Sequence, residues 1–268
     1  MSKISVLMCV YNTPNNYIAK AVDSILKQTL RDYEFIIYDD GSKKETVDFL
    51  QKISSTDNRI KLILNNENHG LGYGLNRCLE HATSEYVARM DADDYCDVTR
   101  LEKQLSYLIT NNLDVVGCNM FYFENDKIYG RCMYEQIIED SDFLFNSPIS
   151  HPTIVAKKKA FDLVGGYCEE KWCLRNEDYE LFMRMQKNGL HLGNLSECLY
   201  YFREDLDAAS RRKFKYRINE FNVRRKGFQQ LNLYPKGFLY IWKPIFIGLL
   251  PKGIYRNLRK KQIGKDGI

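Results

Sequence analysis

Residues 1–95 alternate between short apolar runs and helical patterns, and this alternation limits the fold more than any other feature of the chain. Residues 4–10, 33–38 and 60–64 are largely apolar runs of strand length, and 85–89 (Glu-Tyr-Val-Ala-Arg) reads as a strand entering a core. Between them, Ile18, Val22, Ile25 and Leu26 recur at helical spacing within 15–30, and 45–53 and 72–81 also read as helices. Repeated strand–helix–strand order requires right-handed crossovers and a mostly parallel sheet with helices on both faces. The expected class is α/β with a Rossmann-like central sheet. In such open sheets, ligands bind beyond the carboxyl ends of the strands. The polar clusters fall at those ends: Tyr11-Asn12, Asp39-Asp40-Gly41-Ser42, Asn68-His69-Gly70 and Asp91-Ala92-Asp93-Asp94.

The last cluster carries the sharpest chemistry. Two carboxylates spaced i, i+2 at a strand end converge on one point if the chain turns there. Hard divalent cations take such ligands, and Mg²⁺ or Mn²⁺ commonly pairs them with substrate phosphates. Asp91 and Asp93 are the expected ligands; an acidic turn capping the next helix is the alternative. Arg89, just before them, is placed to pair with an acid.

Beyond residue 95 the pattern is less regular. Residues 99–110 read as a helix, 114–123 as a strand, 147–152 as a loop, 153–156 as strand-like, and 158–164 as a short helix ended by Gly165-Gly166. The helix over 177–188 is clear, with Asn176 as its N-cap and Gly189 as its stop. Asp178, Leu181, Phe182 and Met185 share one face, so Asp178 points toward the body of the protein. Such an acid is either a first-turn carboxylate stabilised by the helix dipole or a general base held ionised by it. Glu180 and Arg184 form an i, i+4 pair on another face.

Taken together, these segments resemble the family 2 glycosyltransferases, which have the GT-A fold. The resemblance covers about residues 3–205: strand 4–12, helix 21–29, the strand ending in Asp39-Asp40-Gly41-Ser42, the Asn68–Gly70 loop with its helix, Asp91-Ala92-Asp93 as a DXD motif, and Glu177-Asp178 as a Glu-Asp motif. Each motif alone is weak; six in order are specific. The resemblance implies an inverting transfer from a nucleotide-sugar donor, most often a UDP-sugar, with Mn²⁺ or Mg²⁺ as cofactor. By position, Val10, Tyr11 and Asn12 would line the nucleotide pocket and Asp40 would bond the base edge. Asn68 and Gly70 would lie near the nucleotide. Asp91 would contact ribose or sugar, Asp93 would bind the metal at the diphosphate, and Asp178 would deprotonate the acceptor. His151, Trp172 and Glu177 are expected near the acceptor, with His151 also a candidate metal ligand. Processive synthases are set aside, since no Gln-x-x-Arg-Trp motif and no transmembrane run follows Asp178.

Charge divides the chain at about residue 210. Residues 1–210 hold 23 Lys+Arg against 33 Asp+Glu, a net of −10; residues 211–268 hold 16 against 2, a net of +14. We therefore expect a GT-A domain over 1–210 (nucleotide half 1–95, acceptor half 96–210) and a helical, basic, amphipathic extension over 211–268. Arg211, Arg212, Lys213, Lys215 and Arg217 open it, with aromatics interleaved, and Lys252, Arg256, Arg259, Lys260 and Lys261 follow an apolar run over 237–250. That run is shorter than the ~20 residues that span a bilayer. Apolar, aromatic and basic residues together suit the surface of an anionic membrane better than nucleic acid; packing on the core or on a second copy of the chain is the other reading. The eight cysteines are scattered without a CxxC pair, and no signal peptide precedes the strand at Ile4. Reduced, mostly buried thiols and a cytoplasmic protein on the inner face of the membrane are expected, with no zinc site. A lipid-linked saccharide acceptor follows from that location, with transfer of one sugar per binding event in bacterial O-antigen or capsule assembly. A protein or soluble acceptor, and a non-catalytic nucleotide-sugar-binding module, are the alternatives. A nucleotidyltransferase would want a Gly-rich basic loop after the first strand, which residues 11–16 lack.

Overall fold

The computed structural model describes residues 2–204 and 213–251, with 253, 254 and 257. The expected calls on Arg211 and Arg212, and on Lys252, Arg256, Arg259, Lys260 and Lys261, lie outside the described residues. The amino-terminal half is β1 (Ile4–Val10), α1 (Asn15–Leu26), β2 (Tyr33–Asp40), α2 (Lys44–Ser54), β3 (Ile60–Asn65), α3 (Leu71–His81) and β4 (Tyr86–Asp91). Then follow β5 (Tyr95–Cys96), α4 (Arg100–Thr110), β6 (Val115–Glu124), β7 (Lys127–Cys132), β8 (Val155–Lys157), α5 (Lys158–Val164), α6 (Glu177–Lys187) and β9 (Leu192–Arg203). Two further helices follow among the described residues, α7 (Phe214–Gln230) and α8 (Phe238–Leu249).

All nine strands join one sheet in the order β3-β2-β1-β4-β8-β6-β9-β5, with β7 beside β6. Strands β3, β2, β1 and β4 run parallel, β8 is antiparallel to its neighbours, and β6–β9 returns to parallel. Strand alternation splits the core into two layers. Ile4, Val6, Met8 and Val10 face α1 and α4, where Ile18, Val22, Ile25, Leu101, Leu105 and Leu108 are buried. Leu7 and Ile36 face the opposite layer with Leu75 and Leu79 of α3 and Phe182 of α6. Each such fully buried side chain is worth about 1.5–3 kcal/mol. Helix α3 lies very close to the sheet: a Cβ at Gly74 would stand 2.5 Å from Cys9 Sγ and 2.8 Å from Tyr38.

Several sequence expectations need correction. The helix begun at Asn15 stops at Leu26, because residues 27–32 turn to bring β2 alongside β1. Thr153 belongs to a 3₁₀ turn, and β8 begins only at Val155. Strands β5, β7 and β9 were not anticipated. Asn176 occupies the N-cap position of α6 without capping through its side chain; that amide instead approaches the Leu174 and Tyr216 carbonyls.

The described part of the extension, residues 213–251, is docked on the domain. Val223, Phe228, Leu231 and Ile241 belong to the same apolar layer as Leu181 and Phe182 of α6. The buried Arg224 guanidinium donates to the carbonyls of Leu144 (3.0 Å) and Phe145 (2.9 Å) and pairs with Glu220.

Candidate active site

Register brings the separate motifs to one edge. Because β1, β2 and β4 are parallel, Val10 lies beside Asp39 and Cys9 beside Asp91. The three strands therefore deliver Tyr11-Asn12, Asp39–Ser42 and Asp91–Asp94 to the same carboxyl edge.

Tyr11 is half exposed. Asn12 adopts a left-handed backbone (φ 50°), which asparagine tolerates. It is tied to the second motif twice: its N–H donates to Ser42 Oγ at 2.9 Å, and its Oδ1 accepts from Lys43 N at 2.8 Å. Asp40 is buried, and the 68–70 loop takes up its carboxylate. Asn68 Nδ2 (2.8 Å) and Gly70 N (2.8 Å) donate to Oδ2, and His69 N (3.0 Å) donates to Oδ1. Burial raises its pKa and the two backbone donors pull it back. In this arrangement Asp40 anchors the loop instead of presenting an open carboxylate to a base edge. The loop can wrap the carboxylate because Gly70 takes φ +96°.

Asp91, Asp93 and Asp94 converge, each offering a carboxylate oxygen within 4.8 Å of the others. They are not equivalent. Asp91 is held bidentately by the buried Arg89, with Nη1 2.8 Å from Oδ2 and Nη2 on Oδ1. Asp93 is exposed at the edge of the site, yet partial burial and then the Asp91 charge push its carboxyl up to about 6. Asp94 is buried; its Oδ1 accepts from Arg203 N of β9 at 2.6 Å, and its Oδ2 has no hydrogen-bond partner among the described residues. Burial, Asp91 and Asp93 raise it well above the usual carboxylate range. Three like charges this close disfavour one another, and a divalent cation relieves that repulsion. The donor set, all carboxylate oxygens with one unpartnered buried atom, fits Mg²⁺ or Mn²⁺.

Beneath this cluster lies a group that sequence reasoning missed. The buried Tyr167 hydroxyl is 2.8 Å from His151 Nε2. Burial raises the Tyr167 pKa; the charge of Arg89 lowers it, and those of Asp178 and Asp91 raise it. Tyr167 therefore lies within electrostatic range of both Asp91 and Asp178. His151 is buried too, and burial with the nearby Arg89 charge holds its pKa well below 6.5. Its expected contact with an acceptor or metal gives way to an internal bond in a neutral ring. No sequence signal near Tyr167 marked it, since its partner is sixteen positions away.

Asp178 is half-buried in the first turn of α6, with Leu181, Phe182 and Met185 of its face in the core. Its neighbour Glu177 is buried, and burial raises its carboxyl. Trp172 is half-buried under the Lys226 ammonium of α7, 3.6 Å from the ring centroid. Neither Glu177 nor Trp172 is presented openly to an acceptor here.

The sequence profile described as glycosyl transferase family 2 matches residues 5–165. The chain is a family 2 glycosyltransferase. The glycosyltransferase is 34% identical over 270 residues to EpsE of Bacillus subtilis (strain 168), covering 99% of this chain and 97% of that one. It is 27% identical over 221 residues to WfgD of Escherichia coli, described as a UDP-Glc:alpha-D-GlcNAc-diphosphoundecaprenol beta-1,3-glucosyltransferase, covering 82% and 84% of the two chains. In structure it is similar to S. aureus TarS 1-349 in complex with UDP-GlcNAc, with a TM-score of 0.67 and 20% identity over 97% of this chain and 70% of that one. The sheet with helices on both faces is therefore the GT-A fold of this transferase.

Proposed function

We propose that this glycosyltransferase moves one sugar, with inversion, from a UDP-sugar to a hydroxyl of a lipid-linked saccharide in bacterial O-antigen or capsule assembly. The observation that carries this reading is the convergence of the carboxylates of Asp91, Asp93 and Asp94 at the carboxyl edge of β4. The UDP donor and the diphosphate-lipid acceptor are supported by the description of WfgD.

In this reading Tyr11, Asn12 and the Asp40-anchored loop enclose the nucleotide. Asp93 and Asp91 would hold Mg²⁺ or Mn²⁺, with Asp94 beside them. The ion would neutralise charge developing on the departing diphosphate. Arg89 fixes Asp91, so the cluster is oriented before substrate arrives. Asp178 takes the acceptor proton; at the first turn of α6 the helix dipole keeps it anionic. In a single displacement the acceptor approaches opposite the leaving group, which is why the base comes from a later element than the diphosphate cluster.

A lipid-linked acceptor requires work at a bilayer surface. No described helix is long and apolar enough to cross one. Helix α8 instead exposes Leu239, Trp242, Phe246 and Leu249 along one stripe, beside exposed Lys236 and the exposed Arg225 and Lys226 of α7. This pattern supports interfacial docking on anionic lipid.

The test is calorimetric titration of UDP with and without Mn²⁺, on wild type and Asp93→Ala, followed by UDP release with a polyprenyl-diphosphate saccharide. Metal-dependent binding lost in the variant is the expected result. Absence of UDP binding under every metal condition would overturn the uridine assignment.

A further inference from the structure

Two thiols meet in the loop that leads into α6, and the reading above uses neither. Cys168 is half-buried and Cys173 is buried. The Cys173 thiol donates to the carbonyl oxygens of Cys168 (3.2 Å) and Glu170 (2.9 Å). Its own carbonyl accepts from Asn176 N at 2.8 Å, at the threshold of α6. The loop folds back on itself here, which brings the Cys173 sulfur within 3.2 Å of the backbone carbonyl oxygen of Cys168, five positions earlier. The bond from the Cys173 thiol lowers the pKa of Cys168, whereas Cys168 and then burial raise that of Cys173. Burial moves Cys9, Cys78, Cys96, Cys118 and Cys198 in the upward direction. A more acidic, more accessible thiol next to a buried one divides the labour of oxidation into attack and resolution.

We propose that Cys168 and Cys173 are a redox modification site, closing into a reversible disulfide when the chain meets a peroxide. The Cys168 thiolate attacks one oxygen of hydrogen peroxide; the O–O bond breaks, leaving a sulfenic acid and a hydroxide that takes up the proton released by the Cys168 thiol and becomes the first water. The Cys173 sulfur then attacks the Cys168 sulfur; the S–O bond breaks, the S–S bond forms, and a second water carries away the Cys173 proton. Two thiols lose two electrons and two protons, and one peroxide becomes two waters. A dithiol reverses the exchange.

Closure removes the Cys173 proton, and with it both hydrogen bonds to the Cys168 and Glu170 carbonyls. The loop has little slack in which to absorb that change. Asn219 of α7 donates to the Lys171 (3.0 Å) and Leu174 (3.1 Å) carbonyls, and Cys168 O lies so close to α3 that a Cβ at Gly72 would stand 3.2 Å away. The strain therefore passes through Asn176 to Glu177 and Asp178. This effect on transfer rests on Asp178 being the base; the disulfide itself does not.

Lys171 separates the two cysteines, so trypsin releases residues 160–171 and 172–175 as different peptides. The full chain is treated with hydrogen peroxide, alkylated and digested without reductant. The two peptides are expected joined, and to part on adding dithiothreitol. In Cys173→Ser, dimedone is expected to trap a sulfenic acid on Cys168. UDP release should fall several-fold in the oxidised wild type, return with dithiothreitol, and be insensitive to peroxide in Cys168→Ser. Peptides recovered apart, with both thiols alkylated, overturn the site. Joined peptides with unchanged UDP release overturn its effect on transfer. A reduced chain that never releases UDP counts against the proposed function, and the peptide map still decides the disulfide.

Discussion

Asp178 and Arg89 carry charges with different tasks, and substitution separates them. Asp178 is half-buried at a helix start and is assigned the acceptor proton. Asparagine keeps its shape and removes its basicity. Asp178→Asn is expected to lower kcat by about 10²–10⁴-fold, the range for losing a positioned acid or base, with donor KM and the circular dichroism spectrum little changed. Equal activity in the variant would remove the base assignment. Arg89 is buried against Asp91. Its backbone carbonyl also accepts from Arg100 Nη2 at 2.6 Å, so the pair sits in a braced polar pocket. Removing one partner strands the other charge. Arg89→Met is expected to lower unfolding stability by roughly 3–5 kcal/mol in urea titrations. A loss near zero would show that water reaches Asp91 freely.

At the scale of elements, Glu34 fastens the amino-terminal edge of the sheet. From β2 it accepts from Ser5 of β1 (2.5 Å), Lys61 of β3 (2.5 Å) and both N–H and Oγ1 of Thr83 before β4 (2.7 and 2.8 Å). Burial alone would raise its pKa; the bonds from Lys61, Ser5 and Thr83 outweigh it and bring the carboxyl down to about 2, from 4.5. A depressed folded pKa means stability that is present above the unfolded value and lost as pH falls from about 4.5 through about 2. The shift corresponds to roughly 3 kcal/mol at neutral pH. Urea midpoints of wild type and Glu34→Gln should differ most near pH 6 and converge near pH 2; a pH-independent gap would refute the linkage. The first four strands were legible because each is a run of strand length with a helix between it and the next. Strand β9 was not: Asn194, Ser196 and Glu197 interrupt its apolar pattern, and its register against β6 shifts at Cys118–Met120. That miss had a cost at the site. The partner of Asp94 is Arg203 N on β9, so the sequence places Asp94 in the polar cluster but assigns it no role as a third carboxylate beside Asp91 and Asp93. The convergence of Asp91 and Asp93 and the buried apolar face of α6 beside Asp178 were legible from local spacing; the Tyr167–His151 bond and the internal ties of Asp40 depend on contacts between distant segments, which no local pattern encodes.

For the whole molecule, the decisive asymmetry is between the docked and open faces of the last two helices. Ile241 and Pro244 turn α8 onto the core, while Leu239, Phe246 and Leu249 on the other side are 78%, 66% and 69% exposed. An apolar stripe of this size left in water is unfavourable by about 25 cal/mol per Å², and lipid removes that cost. In the proposed docked state the 211–268 segment, at +14, would add attraction to anionic headgroups of up to about 1 kcal/mol per basic residue near the surface. The two contributions respond differently to conditions. The electrostatic part is screened by salt, with a Debye length of about 8 Å at 0.15 M, whereas insertion of the stripe is not. The chain is expected to float with vesicles containing phosphatidylserine and to bind phosphatidylcholine vesicles weakly. High salt should release part of the bound fraction. Leu239→Glu combined with Phe246→Glu should release most of it, because each carboxylate would enter the acyl boundary. Neither position packs in the core, so UDP release with a short-chain, water-soluble acceptor should be unchanged in that variant, while transfer to acceptor embedded in vesicles should fall. Equal flotation of wild type and variant would exclude α8 as the docking face and leave charge alone to hold the protein at the membrane.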